Sequence, residues 1–287
     1  MTDRPKPLPQ LAGVNAYVPG EAPKYTGGPS YKLASNENPL GASPKAKAVY
    51  AEMAAKMEIY PDGGARDLKA AIAKKHGLDP NRLVVGAGSD EIFLMLGRAY
   101  LGPGDESICT LHAFAIYAII VQQQGSKIIE VPEKNFTADV DAILAAVTPK
   151  TKIVWLANPN NPTGTYLPYD EVKRLHGGLP SHVLLVLDGA YAEFVRKNDY
   201  ASGIELVSQY ENVVMTRTFS KLYGLAGLRV GWGYAPAHVV DAIERVRMPF
   251  NVNLTAQAVA IAALEDEVFT EARSEERRVG KECRMPC

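Results

Sequence analysis

Between residues 82 and 216 the chain alternates short, continuously apolar runs with longer segments whose apolar positions recur every three or four residues. The runs at 82–85, 106–110, 127–131, 152–157 (KIVWLA), 182–187 (HVLLVL) and 212–216 (NVVMT) read as strands. Apolar runs of this length without polar alternation suit strands covered on both faces. Helical patterns fill the gaps: from Ser89 to Tyr100, from Phe114 to Gln124 with Gly125 as a stop, from Asp139 to Val147, and one opening near Pro168. Upstream, Ser43-Pro44 is an N-cap followed by proline at the first helical position, opening a helix to about Met57. A turn at 60–64 follows, then a helix to His76 stopped by Gly77. A last helical stretch covers 255–268. Strands alternating with helices predict an α/β fold, a mostly parallel sheet with helices on both faces.

Length and composition narrow the reading. A chain of 287 residues allows one large domain, or one large and one small. With 47% hydrophobic and 22% charged residues it falls outside the disordered classes. A formal net charge of −1 gives no support for nucleic acid or an anionic membrane as partner. The longest apolar run, 113–121, is too short to span a bilayer, and the N-terminus lacks the apolar core of a secretory signal. Cys109, Cys283 and Cys287 have neither metal-ligand spacing nor a disulfide framework. The expectation is a reduced, cytoplasmic protein without a metal site. The first 30 residues, rich in Pro and Gly, read as an extended arm. Residues 273–283, RSEERRVGKEC, resemble the translation of a common sequencing-library adapter. Arg273 onward is therefore expected to be a non-native tail, with the true protein continuing in a different sequence.

In open parallel sheets, ligands bind beyond the carboxyl ends of the strands. That rule selects five segments: 86–89, 110–114, 158–164, 188–191 and 218–221. Asp188 ends an apolar strand, where a carboxylate is costly unless paired. It serves either as a turn cap or as counter-charge to a cationic ligand atom such as a protonated pyridine nitrogen. Lys221 is either an ordinary surface lysine or a Schiff-base lysine held neutral by burial or nearby positive charge. Arg229 is a strand-edge arginine or a bidentate phosphate clamp. The turn at 86–89 (GAGS) has the glycines and helix start of an anion site, a weak signal alone. The segment NPNNPTG at 158–164 is a rigid turn.

Taken in order, NPNNPTG, DGAY (188–191), TFSK (218–221) and RVGW (229–232) resemble the pyridoxal-phosphate aminotransferases of fold type I. The likeness runs from about Tyr17 to Ala263. LASNENPLG (33–41), YPDGGARDLKAAIA (60–73), GAGSDEI (86–92), HAFAIY (112–117) and PFNVN (249–253) resemble the histidinol-phosphate aminotransferase branch, with aromatic-amino-acid aminotransferases as near neighbours. The resemblance implies pyridoxal 5′-phosphate as cofactor and transfer of an amino group to a 2-oxo acid, 2-oxoglutarate, by ping-pong chemistry. It implies that Lys221 carries the cofactor as a Schiff base and that Asp188 pairs with the pyridine nitrogen. Asn161 and Tyr191 would bond the phenolic oxygen, and Phe114 would stack on the ring. Gly88, Ser89, Thr218, Ser220 and Arg229 would hold the phosphate, joined by Tyr60 across a homodimer interface. Tyr17 and Asn36 would sit near the substrate.

The implied organisation is an arm (1–30), a cofactor-binding large domain (31–250, with part of a small domain near 31–45), the start of the small domain (251–272) and the tail (273–287). The family's C-terminal segment supplies an arginine for the donor carboxylate, and none of these 287 residues is assigned that role. A decarboxylase of an O-phospho amino acid and an inactive truncated chain are the competing readings.

Overall fold

The computed structural model describes residues 5–17, 27 and 34–272. Most of the arm, Leu33 of the 33–41 run, and the tail with Cys283 and Cys287 lie outside the described residues. Helices α1 (Pro44–Met53) and α2 (Arg66–His76) precede β1 (Leu83–Gly86), α3 (Ser89–Tyr100), β2 (Glu106–Thr110), α4 (Ile116–Gln123) and β3 (Lys127–Val131). A small hairpin, β4 (Glu133–Lys134) and β5 (Thr137–Ala138), leads to α5 (Val140–Ala145), β6 (Thr151–Ala157), α6 (Tyr169–Gly178) and β7 (Leu184–Asp188). The chain continues through α7 (Ile204–Gln209), β8 (Val213–Thr218), β9 (Gly231–Tyr234), α8 (Ala237–Val246) and α9 (Leu254–Glu265).

Seven strands form one sheet in the order β1-β9-β8-β7-β6-β2-β3. β2, β3, β6, β7 and β8 pair in parallel, while β9 runs antiparallel to both β1 and β8. The expected α/β architecture is the observed one. Alternate residues of each central strand feed two cores. Val154, Leu156, Leu185, Leu187, Val213 and Met215 face α2, α5, α6, α7 and α9. Ile153, Trp155, Leu184, Val186 and Val214 face α3, α4 and α8. The strands therefore read as unbroken apolar runs, since each face of the sheet is dry.

Several boundaries follow local chemistry. The Ser43 side chain accepts the Ala46 N–H, and Pro44 opens α1. α2 ends at Gly77, whose left-handed φ of 67° favours glycine. Other expectations need correction. The helix expected from Phe114 begins at Ile116, because 110–115 folds as a turn with Ala113 N–H on the Thr110 carbonyl. The last helix breaks at Asp266 rather than running to Val268. The arm is not wholly extended, since Pro9–Gly13 forms a 3-10 turn. β9, unpredicted, is GWGY: two glycines in four residues erase the apolar signature of a strand.

Gly231 lets β9 lie against the strand-to-helix turn after β1. A Cβ at Gly231 would sit 2.5 Å from the Ser89 nitrogen and 2.7 Å from the Gly88 carbonyl carbon. Gly231→Ala is expected to destabilise the protein by about 1–3 kcal/mol, the usual cost of overpacking. Gly227→Ala, with open space at its Cβ, is the control. Urea denaturation midpoints of the two variants check this, and equal midpoints would contradict the close approach.

Candidate active site

The five selected segments all open on one cavity of about 300 Å³. β1, β2, β6, β7 and β8 point their carboxyl ends toward it, as the parallel topology requires. Ser89, Phe114, Asn161, Asp188, Tyr191, Thr218, Ser220, Lys221 and Arg229 line it, and Tyr17 and Asn36 reach it from the N-terminal side. Gly88 stands behind Ser89 as the N-cap of α3. Tyr60 is apart from these: it is 78% exposed and stacks on Phe250 at 4.9 Å.

Asp188 forms the floor. As the last residue of β7 it registers with Ala157 of β6 and Thr216 of β8, and it is 6% exposed. Its Oδ1 accepts the Ala190 N–H at 3.0 Å and its Oδ2 the Tyr117 hydroxyl at 2.5 Å. Burial pushes the carboxyl up to about 6 despite both hydrogen bonds.

Lys221 follows the end of β8. Its Nζ donates to the Ser35 carbonyl at 3.2 Å and lies 5.6 Å from the Tyr191 ring centre. Burial lowers its affinity for a proton, with Arg229 adding to the effect and Asp90 opposing it. Asn36 gathers the facing side: its Nδ2 donates to the Tyr191 hydroxyl at 2.9 Å and to Asn161 Oδ1 at 3.5 Å.

A third corner collects anion-binding groups. Thr218 Oγ1 accepts the Ser220 N–H and lies 3.0 Å from Ser220 Oγ. Arg229, held at φ 56°, brings Nη1 to 3.5 Å from Ser220 Oγ and Nη2 to 3.2 Å from Asp90 Oδ2. A Cβ at Gly88, where φ is 85°, would fall 2.3 Å from Arg229 Nη2, so only glycine lets the guanidinium lie over the start of α3.

The sequence reading overlooked Asp90, Ser35 and Tyr117. Asp90 directly follows the Gly88-Ser89 pair and Tyr117 closes the HAFAIY run, so both lay within quoted motifs. Ser35 contributes only its carbonyl, which no side-chain pattern reports.

A family model for class I and II aminotransferases matches residues 29–282, and the chain belongs to that family. It is 56% identical over 264 residues to a histidinol-phosphate aminotransferase of Rhodopseudomonas palustris strain TIE-1, covering 92% of this chain and 72% of that protein. Identity to the histidinol-phosphate aminotransferase of Nitrobacter winogradskyi is 55%, with the same coverages. Among solved structures, the Sinorhizobium meliloti histidinol-phosphate aminotransferase in complex with pyridoxal-5′-phosphate superposes with a TM-score of 0.82 at 31% identity, over 86% of this chain and 68% of that one. The aspartate aminotransferase of Thermus thermophilus with maleate shares the fold, with a TM-score of 0.77 at 24% identity, over 86% and 68%.

The raised Asp188 carboxyl has a consequence for stability. A group whose folded value, about 6, exceeds its ordinary 3.8 binds its proton more tightly when folded. Stability is therefore lost as pH rises through that window. Asp188→Asn is expected to stabilise the ligand-free protein at pH 7.5 by up to about 3 kcal/mol, with the gain absent below pH 4. Urea denaturation at both pH values checks it; no gain at pH 7.5 would contradict the burial penalty.

Proposed function

We propose that this chain is a pyridoxal-phosphate-dependent aminotransferase that moves the amino group of L-histidinol phosphate to 2-oxoglutarate, yielding imidazole acetol phosphate and L-glutamate. The observation that carries the reading is the convergence of Asp188, Lys221 and the Arg229 corner on one cavity, in a chain 56% identical to a histidinol-phosphate aminotransferase. The donor set suits the cofactor. Ser89, Thr218, Ser220 and Arg229 are hydroxyl and guanidinium donors suited to a phosphate, and Gly88 leaves the backbone bare beside them. Asp188 offers a buried negative charge for a protonated ring nitrogen. Asn161 and Tyr191 offer donors for the phenolic oxygen, and Phe114 an apolar ring.

When bound, pyridoxal phosphate supplies the electron sink that makes a proton at an amino-acid Cα removable. The protein then has to hold and move that proton. Lys221 Nζ, its proton affinity lowered by burial, is placed to take the proton from the substrate Cα and return it one position away. Asp188 keeps a negative charge at the cavity floor throughout. Tyr17 and Asn36 border the remaining space and form the substrate side.

Residues 31–250 read as the cofactor-binding domain, and α9 packs with α1 and α2 in the core that domain's sheet shares. We read the assembly as a homodimer. Met57, Ile59, Tyr60, Met248 and Phe250 expose an apolar patch around the Tyr60–Phe250 stack, the kind of surface a protein partner covers. Phe250→Asp is expected to lower the sedimentation coefficient to that of a monomer; identical sedimentation of variant and wild type would overturn the dimer reading.

The function is tested by adding pyridoxal phosphate to the purified chain. A visible absorption band is expected that Lys221→Ala abolishes. Glutamate formation from L-histidinol phosphate and 2-oxoglutarate is expected to fall by at least about 10⁴-fold in the same variant, the scale of losing the residue that moves the proton. A wild type that turns over aromatic amino acids but not L-histidinol phosphate, or that releases carbon dioxide without need of a 2-oxo acid, would overturn it.

A further inference from the structure

Tyr117 is the first-turn aromatic of α4, and none of its surface is exposed. Its ring stacks flat on Trp155 of β6, with centroids 5.3 Å apart and planes 7° from parallel. Phe93 of α3 packs edge-on against it at 5.3 Å. Trp155 is itself pinned: its Nε1 donates to Ser107 Oγ at 2.7 Å, and Ser107 donates to the Ile153 carbonyl at 3.0 Å. The ring is packed by Trp155 and Phe93, and its hydroxyl meets Asp188 Oδ2. The same ring touches Phe114 at 5.9 Å, edge to face. Tyr117 thus contacts both the floor carboxylate and the aromatic wall of the cavity without lining the cavity itself.

We propose that Tyr117 is a positioning residue for the aminotransferase reaction, its phenol fixing the Asp188 carboxylate in its ionised, pocket-directed state. The proposal rests on the reading of the cavity given above. Its physical basis is the imbalance at Asp188. Burial favours the neutral acid there, and Asp90 of α3 adds a like charge nearby. Lys221 is the nearby cation opposing both. The donors on the carboxylate are the Ala190 amide, which the backbone fixes, and the Tyr117 hydroxyl, which a side chain supplies. Burial of Tyr117 and the Asp188 carboxylate it faces disfavour loss of the phenolic proton, so the hydroxyl stays a donor. A neutral Asp188 could no longer stabilise a protonated ring nitrogen, and the electron sink would weaken.

Tyr117→Phe removes the donor and keeps the ring stack. The first readout needs no cofactor: the carboxyl titration of Asp188 in the ligand-free protein, followed by infrared difference spectroscopy and identified by its loss in Asp188→Asn. The midpoint, near 6 in the wild type, is expected to rise by about one pH unit in Tyr117→Phe, since a lost hydrogen bond to the anion favours the acid. Incorporation of 3-fluorotyrosine at position 117, a stronger donor of the same shape, is expected to lower it. This second replacement guards against a folding defect in the first. In the loaded enzyme, kcat of Tyr117→Phe is expected to drop about tenfold with KM changed less than twofold. An unmoved Asp188 titration in both replacements overturns the proposal whatever the activity. A wild type without a Lys221-dependent band overturns the function reading alone, leaving the titration to decide this one.

Discussion

A carboxylate held out of water at the end of β7 sets the terms for much of the molecule. Leaving Asp188 buried and unpaired would cost several kcal/mol, so donors must be brought to it from both sides of the sheet. One is the Ala190 amide, delivered by a turn so tight that a Cβ on Gly189 would come within 3.0 Å of the Thr216 carbonyl. The other is Tyr117, delivered by a helix that can be seated only because Trp155, Phe93 and Ser107 shape its slot. Even so burial holds the carboxyl up at about 6.

The opposite corner is organised by close approach rather than by charge burial. Arg229 adopts a left-handed backbone, Gly88 gives up its side chain to make room for the guanidinium, and Gly231 brings β9 against the start of α3. Arg217 and Glu193 form a buried ion pair at 2.8 Å. That pair links β8, which leads to Lys221, with the 3-10 turn that follows Tyr191. The two corners are therefore joined through the sheet, and their spacing follows from the strand order between β1 and β6.

Much of this was legible in the chain. Strands buried on both faces declare themselves as apolar runs, and 152–157, 182–187 and 212–216 were placed within a residue or two of β6, β7 and β8. The carboxyl-end rule then selected five of the segments that meet at the cavity; 34–37 and 226–229 also line it. β9 escaped because GWGY carries no periodicity; its glycines answer to backbones that are distant in sequence. Tyr117 escaped because, among apolar neighbours on α4, an aromatic residue reads as core, which it also is.

Residue order by itself determined the α/β class, the positions of most elements and which segments carry polar chemistry, because period, caps and turn residues act over a few positions. Tertiary structure alone decided what those residues do to one another. The antiparallel insertion of β9, the phenol aimed at Asp188, the guanidinium over Gly88 and the shift in the proton affinity of Lys221 all arise between groups far apart in the chain. Burial and distance set those interactions, and neither is a property of any short stretch of sequence.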